Sequence, residues 1–287
     1  MIWEERPGGL RAPAMICAFG GWNDAAQAAT SAVSFIASSL DAYRFAHIDP
    51  EEFYDFQSAR PQISLVAGEA REITWPMVEI WAAKAPRAPR DLILMTGPEP
   101  SMRWSTLCQS VVELAEAMDV QMAVSLGALL ADVPHTRPVP MVGVTSDEQL
   151  AERVGLSPTT YEGPTGITGV LHSAFQESGI PSASLWASVP HYVAAAPNPK
   201  ASLALVRKLE SLVGISFDAT ELERAASEYE RSVSSAVAGD DDVRQFVERL
   251  EQASDADAPE AEGEELPSGD VLAREFQRFL NQRGDDA

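Results

Sequence analysis

The 287-residue sequence predicts an α/β protein: a three-layer arrangement with a mostly parallel sheet covered on both faces, followed by an acidic helical appendage. Three observations predict it. Unbroken apolar runs of strand length alternate with amphipathic helical stretches through the first 215 residues. Those runs open into loops rich in Gly, Pro and His. Beyond residue 215 the runs cease and charge takes over: residues 216–287 hold 20 Asp+Glu against 7 Lys+Arg, whereas the first 215 hold 23 against 14. A boundary near 215 divides a body (1–215) from an acidic C-terminal region (216–287).

Along the body, "AMICAFG" (14–20) reads as a buried strand and Asp24–Leu40 as the helix after it. "DLILMTG" (91–97) is a second strand, followed by a helix over Trp104–Met118 and a third strand, "VQMAVSLG" (120–127). "VPMVGVT" (139–145) precedes a short helix, and 167–179 reads as a helix capped by Gly179. "SASLWASV" (182–189) is the last strand. The helix in "PNPKASLALVRKLESLVG" starts with Pro and stops at Gly214, the usual asymmetry of helix ends.

The acidic region contains helical stretches at 220–239, 241–253 and 268–282. In the second, Val243, Phe246, Val247 and Leu250 share one face. In the third, Val271, Leu272, Phe276, Phe279 and Leu280 form a stripe too apolar to leave wet, a candidate docking face for the body or for a partner. Residues 253–267, acidic and interrupted by Pro, read as a mobile linker.

The net charge of -22 and pI near 4.4 repel phosphate backbones and anionic lipid, so neither nucleic acid nor membrane is expected as a partner. The N-terminal stretch offers no signal peptide and no run reaches spanning length. Cys17 and Cys108 lie in apolar stretches, which suits a reducing compartment. A cytoplasmic location is expected.

Four loops carry the chemistry-bearing residues, and in a parallel sheet ligands bind outside the carboxyl ends of the strands. "FGGWND" brings Gly20, Gly21, Asn23 and Asp24, with either of the last two able to cap a helix or leave its N-terminus for an anion. "TGPEPSMRW" holds Glu99 between two prolines, with Arg103 as the nearest basic partner for a loop clamp. Val-Pro-His occurs twice, at 133–135 and 189–191. His135 with Arg137 could hold an anionic group, whereas a bracing histidine bonds a loop carbonyl. The two copies read as the ends of neighbouring parallel strands, with His135 and His191 bracing the loops above. "YEGPTG" places Gly163, Thr165 and Gly166 ahead of a helix, Thr165 as its N-cap candidate. A metal needs three or more ligands, so no metal is expected, and no cofactor signature is present. Gly-x-Ser-x-Gly and Cys-x-x-Cys are also missing.

Taken together and in order, "AFGGWNDAAQAAT", "FYDFQSARPQ", "REITWP", "LMTGPEPSMRW", "GALLADVPHTRPVPMVG", "YEGPTGITGVL", "SLWASVPHYVAAAPNPKA" and "ELPSGDVLAREFQRFL" resemble the proteasome assembly chaperone 2 family, in its bacterial, actinobacterial-type branch. The resemblance implies a body related in shape to nucleoside phosphorylase-like folds and a C-terminal helical appendage. It also implies self-association, as a trimer. Eukaryotic and archaeal members act on assembly of proteasome α-subunits. Some archaeal members end in a hydrophobic–tyrosine–any-residue tail that docks into the proteasome ring, but this chain ends "NQRGDDA", so that route is not expected. The function expected is a non-catalytic binding or assembly protein with proteasome subunits among its partners. The alternative is a small-molecule binder or enzyme using a cleft among Asp24, Glu99, His135 and His191.

Overall fold

The computed structural model describes residues 1–66, 70–145, 157–158, 162–193 and 195–257. Among them a nine-stranded sheet runs in the order β1 (Ile2–Trp3), β3 (Tyr43–His47), β6 (Glu79–Ala83), β7 (Leu92–Pro98), β2 (Ala14–Gly20), β8 (Met122–Ala131), β11 (Ser182–Pro190), β9 (Met141–Thr145), β10 (Ser157–Pro158). The four central strands β7, β2, β8 and β11 are parallel. They are the unbroken apolar runs, and β2 shows why they are apolar throughout. Ala14, Ile16 and Ala18 enter one core while Met15, Cys17 and Phe19 enter the other. A strand buried on both faces has no polar side to show.

Helices α1 (Ala28–Ser39) and α5 (Pro199–Val213) cover the first face, with Val33, Ile36, Leu205 and Leu209 fully buried. Helices α3 (Trp104–Ala117) and α4 (Ile167–Glu177) cover the second, where Leu107, Val111, Leu171 and Phe175 pack on Cys17, Phe19 and Met95. Each such buried side chain contributes roughly 1.5–3 kcal/mol relative to exposure. The short helix α2 (Pro50–Phe53) adds Phe53 to that second core. Helix α5 has the ends its sequence promises: the Asn198 side chain accepts from the Ala201 amide, Pro199 follows, and Gly214 closes the helix at φ 69°.

Several elements differ from the sequence expectation. The segment after β2 enters through a 3-10 turn at Ala25–Gln27, so α1 begins at Ala28 rather than Asp24. Strand β8 runs on to Ala131. Strand β9 lies antiparallel to β11, a direction that composition does not encode. Strands β3 and β6 and a separate hairpin, β4 (Gln62–Val66) with β5 (Ala70–Thr74), were not anticipated. The short helix expected after residue 145 lies outside the described residues.

Helix α6 (Thr220–Ala238) lies along α5, with Leu222 packed on the first core. Helix α7 (Asp241–Asp257) returns from it, with Val247 buried and Val243, Phe246 and Leu250 partly so, the face its spacing marks. Since α7 extends through Asp257, residues 253–257 are helix rather than linker. Among the described residues no helix is long and apolar enough to cross a membrane.

Gly127 sits opposite Trp186 in the β8–β11 ladder, and a Cβ there would come within 2.4 Å of the Trp186 ring. We predict that Gly127→Ala costs about 1–3 kcal/mol in urea unfolding, as overpacking does. The cost shrinks in a Trp186→Ala background. An equal cost in both backgrounds contradicts the contact.

Candidate functional site

All four parallel strands end on one edge, and the loops there form two clusters. The first is centred on Glu99, which follows β7. Its carboxylate Oε1 accepts from the Asn23 side-chain amide at 2.6 Å and from the Ile167 backbone amide at 2.9 Å. The Glu99 amide donates to the Gly20 carbonyl at 2.7 Å, and the Ala128 amide donates to the Asn23 carbonyl at 2.8 Å. The tips of β2, β7 and β8 and the start of α4 are thus stitched through two residues, Glu99 and the fully buried Asn23, by side-chain and backbone bonds together. Glu99 fills the electropositive N-terminus of α4, which has Gly166 and no side-chain cap of its own.

Two glycines make this contact possible. Gly21, at φ 118°, brings the loop to within reach of Glu99, and a Cβ at Gly166 would fall 2.2 Å from the Asn23 side-chain oxygen. Gly20 carries the carbonyl that Glu99 bonds. Gly163 is exposed beside this loop. Thr165 directs its hydroxyl to the Gly166 carbonyl at 3.4 Å, so the cap expected of it is supplied by Glu99 instead. The Glu99–Arg103 clamp does not form. Arg103, itself left-handed at φ 58°, turns its guanidinium to Glu52 and over the Phe53 ring.

Asp24 caps the next helix, as its position suggests. Its carboxylate accepts from the Ala29 amide at 2.7 Å, from the Thr30 amide and from the Thr30 hydroxyl. Burial raises its pKa above the ordinary carboxylate value against the opposing pull of these donors.

The second cluster holds the two histidines. Strands β8 and β11 are parallel neighbours, and Val189-Pro190 closes β11 opposite Leu130-Ala131 while Val133-Pro134 follows just past β8. The His191 amide donates to the Ala131 carbonyl at 3.2 Å, and its ring Nδ1 lies 2.9 Å from Asp132. His135 is buried, and it bonds hydroxyls rather than a loop carbonyl. Its Nδ1 meets the Tyr192 hydroxyl at 2.8 Å and its Nε2 meets the Ser234 hydroxyl of α6 at 3.0 Å. Lys200 of α5 donates to the His135 carbonyl and pairs with Glu230 of α6. Phe246 of α7 stacks edge-on against both His191 and Tyr192.

Arg137 does bind an anionic group, the Asp255 carboxylate of α7, in a two-pronged contact of 2.7 and 2.9 Å. That contact lowers the Asp255 pKa. Burial, helped by Lys200, lowers the His135 pKa, so the imidazole is neutral near neutral pH. The cavity left beside His135 is only about 10 Å³, at the limit of one water.

The strand-tip residues singled out from the sequence therefore divide between two structural junctions. The histidine cluster lies under α6 and α7, while Asp24 and Glu99 each serve a helix N-terminus. Among the described residues Asp24 and Glu99 bond to Ala29, Thr30, Asn23 and Ile167, and the histidine cluster to Tyr192, Ser234 and Asp132. Sequence reasoning missed Tyr192, Lys200, Glu230 and Ser234, whose partners lie 30 to 99 residues away. Phe246 was visible only as part of an apolar stripe. Among the described residues no group of three His, Cys, Asp or Glu could hold a metal ion. Val271, Leu272, Phe276, Phe279 and Leu280 lie outside the described residues. A groove of about 850 Å³ also opens at this edge, between the β4–β5 hairpin and the ends of β2 and β7.

The class these features define is a three-layer α/β/α scaffold whose strand-tip loops are fastened to a helical tail. The chain belongs to the PAC2 family, whose model matches residues 18–237. A PAC2 family protein from Streptomyces avermitilis is 45% identical, with a TM-score of 0.76 over 82% of this chain and 99% of that one. A Mycobacterium tuberculosis proteasome-assembly chaperone homologue is 43% identical, with the same score and coverage. Pyrococcus furiosus PbaB, an archaeal proteasome activator, shares the fold at 18% identity, a TM-score of 0.64 and coverage of 82% and 97%. No match was found among curated proteins.

Two predictions follow from the geometry. Glu99→Ala leaves the Asn23 side-chain amide and the Ile167 amide without their acceptor and is expected to cost about 1–3 kcal/mol by urea unfolding. Glu99→Gln, which keeps an acceptor, costs less, and equal losses contradict the role of the carbonyl-type oxygen. For His135, the folded state binds a proton less readily than the unfolded chain, whose value is near 6.5. Stability contributed by the neutral ring is therefore lost as pH falls below about 6.5. Wild type should lose more unfolding free energy between about pH 7 and 5 than His135→Gln; identical slopes contradict this.

Proposed function

We propose that this protein is a non-catalytic binding and assembly protein that acts on proteasome subunits and associates with itself. The observation that carries the reading is the engagement of the strand-tip polar groups inside the fold. Glu99 and Asp24 serve helix N-termini, and His135 and Arg137 hold the tail. A catalytic constellation would need such groups to converge on an open pocket. The family, and the mycobacterial relative named as a proteasome-assembly chaperone homologue, supply the partner class.

The same edge offers a surface for a protein partner. Trp22 stands 64% exposed in the loop after β2, with Met102 exposed in the loop after β7 and Leu130 exposed near the end of β8. Exposed aromatic side chains amid apolar neighbours are the usual anchors of protein interfaces. In this reading residues 1–215 form the binding body and 216–287 an acidic helical region. The partners are proteasome α-subunits and further copies of the chain, the latter as a trimer, in the cytoplasm. Neither a cofactor nor nucleic acid has a part in it.

Capture of purified proteasome α-subunits by the full chain tests the proposal. Wild type is expected to retain them, and Trp22→Ala combined with Leu130→Ala to weaken retention at least ~10-fold, a loss of about 1.4 kcal/mol of interface anchoring, at an unchanged melting temperature. Sedimentation would show the self-associated species. A wild-type chain that retains no subunit overturns the reading, and unaltered retention by the double variant removes this face from it.

A further inference from the structure

The two helical layers do not cover the sheet equally. On the face protected by α5 and α1, the strands β6 and β3 beyond α1 carry no helix among the described residues. A depression of about 390 Å³ lies there between α1, at Val33 and Ala37, and the sheet, at Trp81 and Thr96. It shares Glu79 and Thr96 with the larger groove of about 850 Å³, which the hairpin walls with Ile73, Thr74 and Trp75. The two make one trough along the outer side of α1.

The hairpin itself has an uncovered apolar face. Ile63 pairs with Ile73 across the ladder, and Leu65 lies two residues from Ile63 on the same side. These three side chains are 60%, 52% and 65% exposed. An isolated two-stranded hairpin is marginal in water unless something packs against it.

We propose that the trough and the apolar hairpin face are the docking site of the chain's own C-terminal stripe, Val271, Leu272, Phe276, Phe279 and Leu280. Three observations point to this occupant. The stripe is helical in spacing and spans 268–282, so a helix there is about 22 Å long, a fit for a trough beside a 12-residue helix. The chain leaves α7 at Asp257, next to Asp255, which Arg137 holds at the strand-tip edge. The trough opens on that same edge; the Arg137 loop runs past the end of β11 into β9, and β9 lies five strands from β6 across β11, β8, β2 and β7, about 24 Å at ordinary strand spacing. The ten residues 258–267 span up to about 35 Å when extended, so the connection is made within one chain. The docked stripe would be a third helix on this face and would shield the hairpin. The inference stands apart from the proteasome reading, since it concerns contacts within the chain.

The test uses the full chain carrying Ile73→Cys and Phe279→Cys; the native Cys17 and Cys108 are buried and do not compete. Mild oxidation is expected to give a species of single-chain mass with a 73–279 linkage, found by peptide mapping. Absence of the linkage, or its presence only in a species of twice the mass, overturns docking within the chain. In parallel, Phe276→Asp with Phe279→Asp should speed amide exchange in β4, β5 and β6 by on the order of tenfold while leaving β8 unchanged. Unaltered exchange in the hairpin also overturns it.

Discussion

Four parallel strands that end on one edge gather there the N-termini of the helices that follow and the backbone groups of their loops. Those groups must find partners, because most of them are buried. Glu99 is the side chain on which this edge depends. One of its oxygens accepts from two different loops, while its own amide closes onto Gly20 at the start of the first of them. A free helix N-terminus would attract an external anion; here the anion is built in, and α4 is held to the tip of β7. Asp24 repeats the device at α1. The glycines around them are there so that backbone and carboxylate can meet at hydrogen-bonding distance.

The second consequence concerns the tail. Its acidic helices would repel one another and an acidic body if left to charge alone. They are instead held by particular cations and rings: Lys200 on Glu230, Arg137 on Asp255, and Phe246 against His191 and Tyr192. His135 stands between body and tail, with one ring nitrogen on each side. The imidazole serves because it can be donor at one nitrogen and acceptor at the other while neutral. Protonation would remove the acceptor, and burial opposes it. The Val-Pro-His repeat is thus two strand endings whose histidines fasten the loops, and both meet the tail, His135 by a hydrogen bond to Ser234 and His191 by a ring contact with Phe246.

Much of this was legible in the sequence. The parallel centre could be read because strands buried on both faces are apolar without interruption, as in "AMICAFG". Helix α5 could be read from Asn-Pro at its start and Gly214 at its end. Strands β3 and β6 escaped because "YRFAH" and "EIWAA" are short, with one side partly exposed, and resemble loop. The direction of β9 is a property of its neighbours. At the strand tips the capping carboxylate of Asp24 and an anion held by Arg137 follow the sequence pattern, whereas other pairings do not. Glu99 and Arg103 are near in sequence, yet a left-handed turn at Arg103 sends them apart. His135 and Ser234 meet across 99 residues, which no local pattern records.

The central claim is that the strand-tip histidine binds the tail to the body. A double-mutant cycle between His135→Ala and Ser234→Ala in the full chain, read by urea unfolding near neutral pH, tests it most directly. The account predicts a coupling energy of about 0.5–1.5 kcal/mol, the range of one intramolecular hydrogen bond. Losses that simply add, within about 0.3 kcal/mol, would mean that the two side chains do not hold each other and would contradict it.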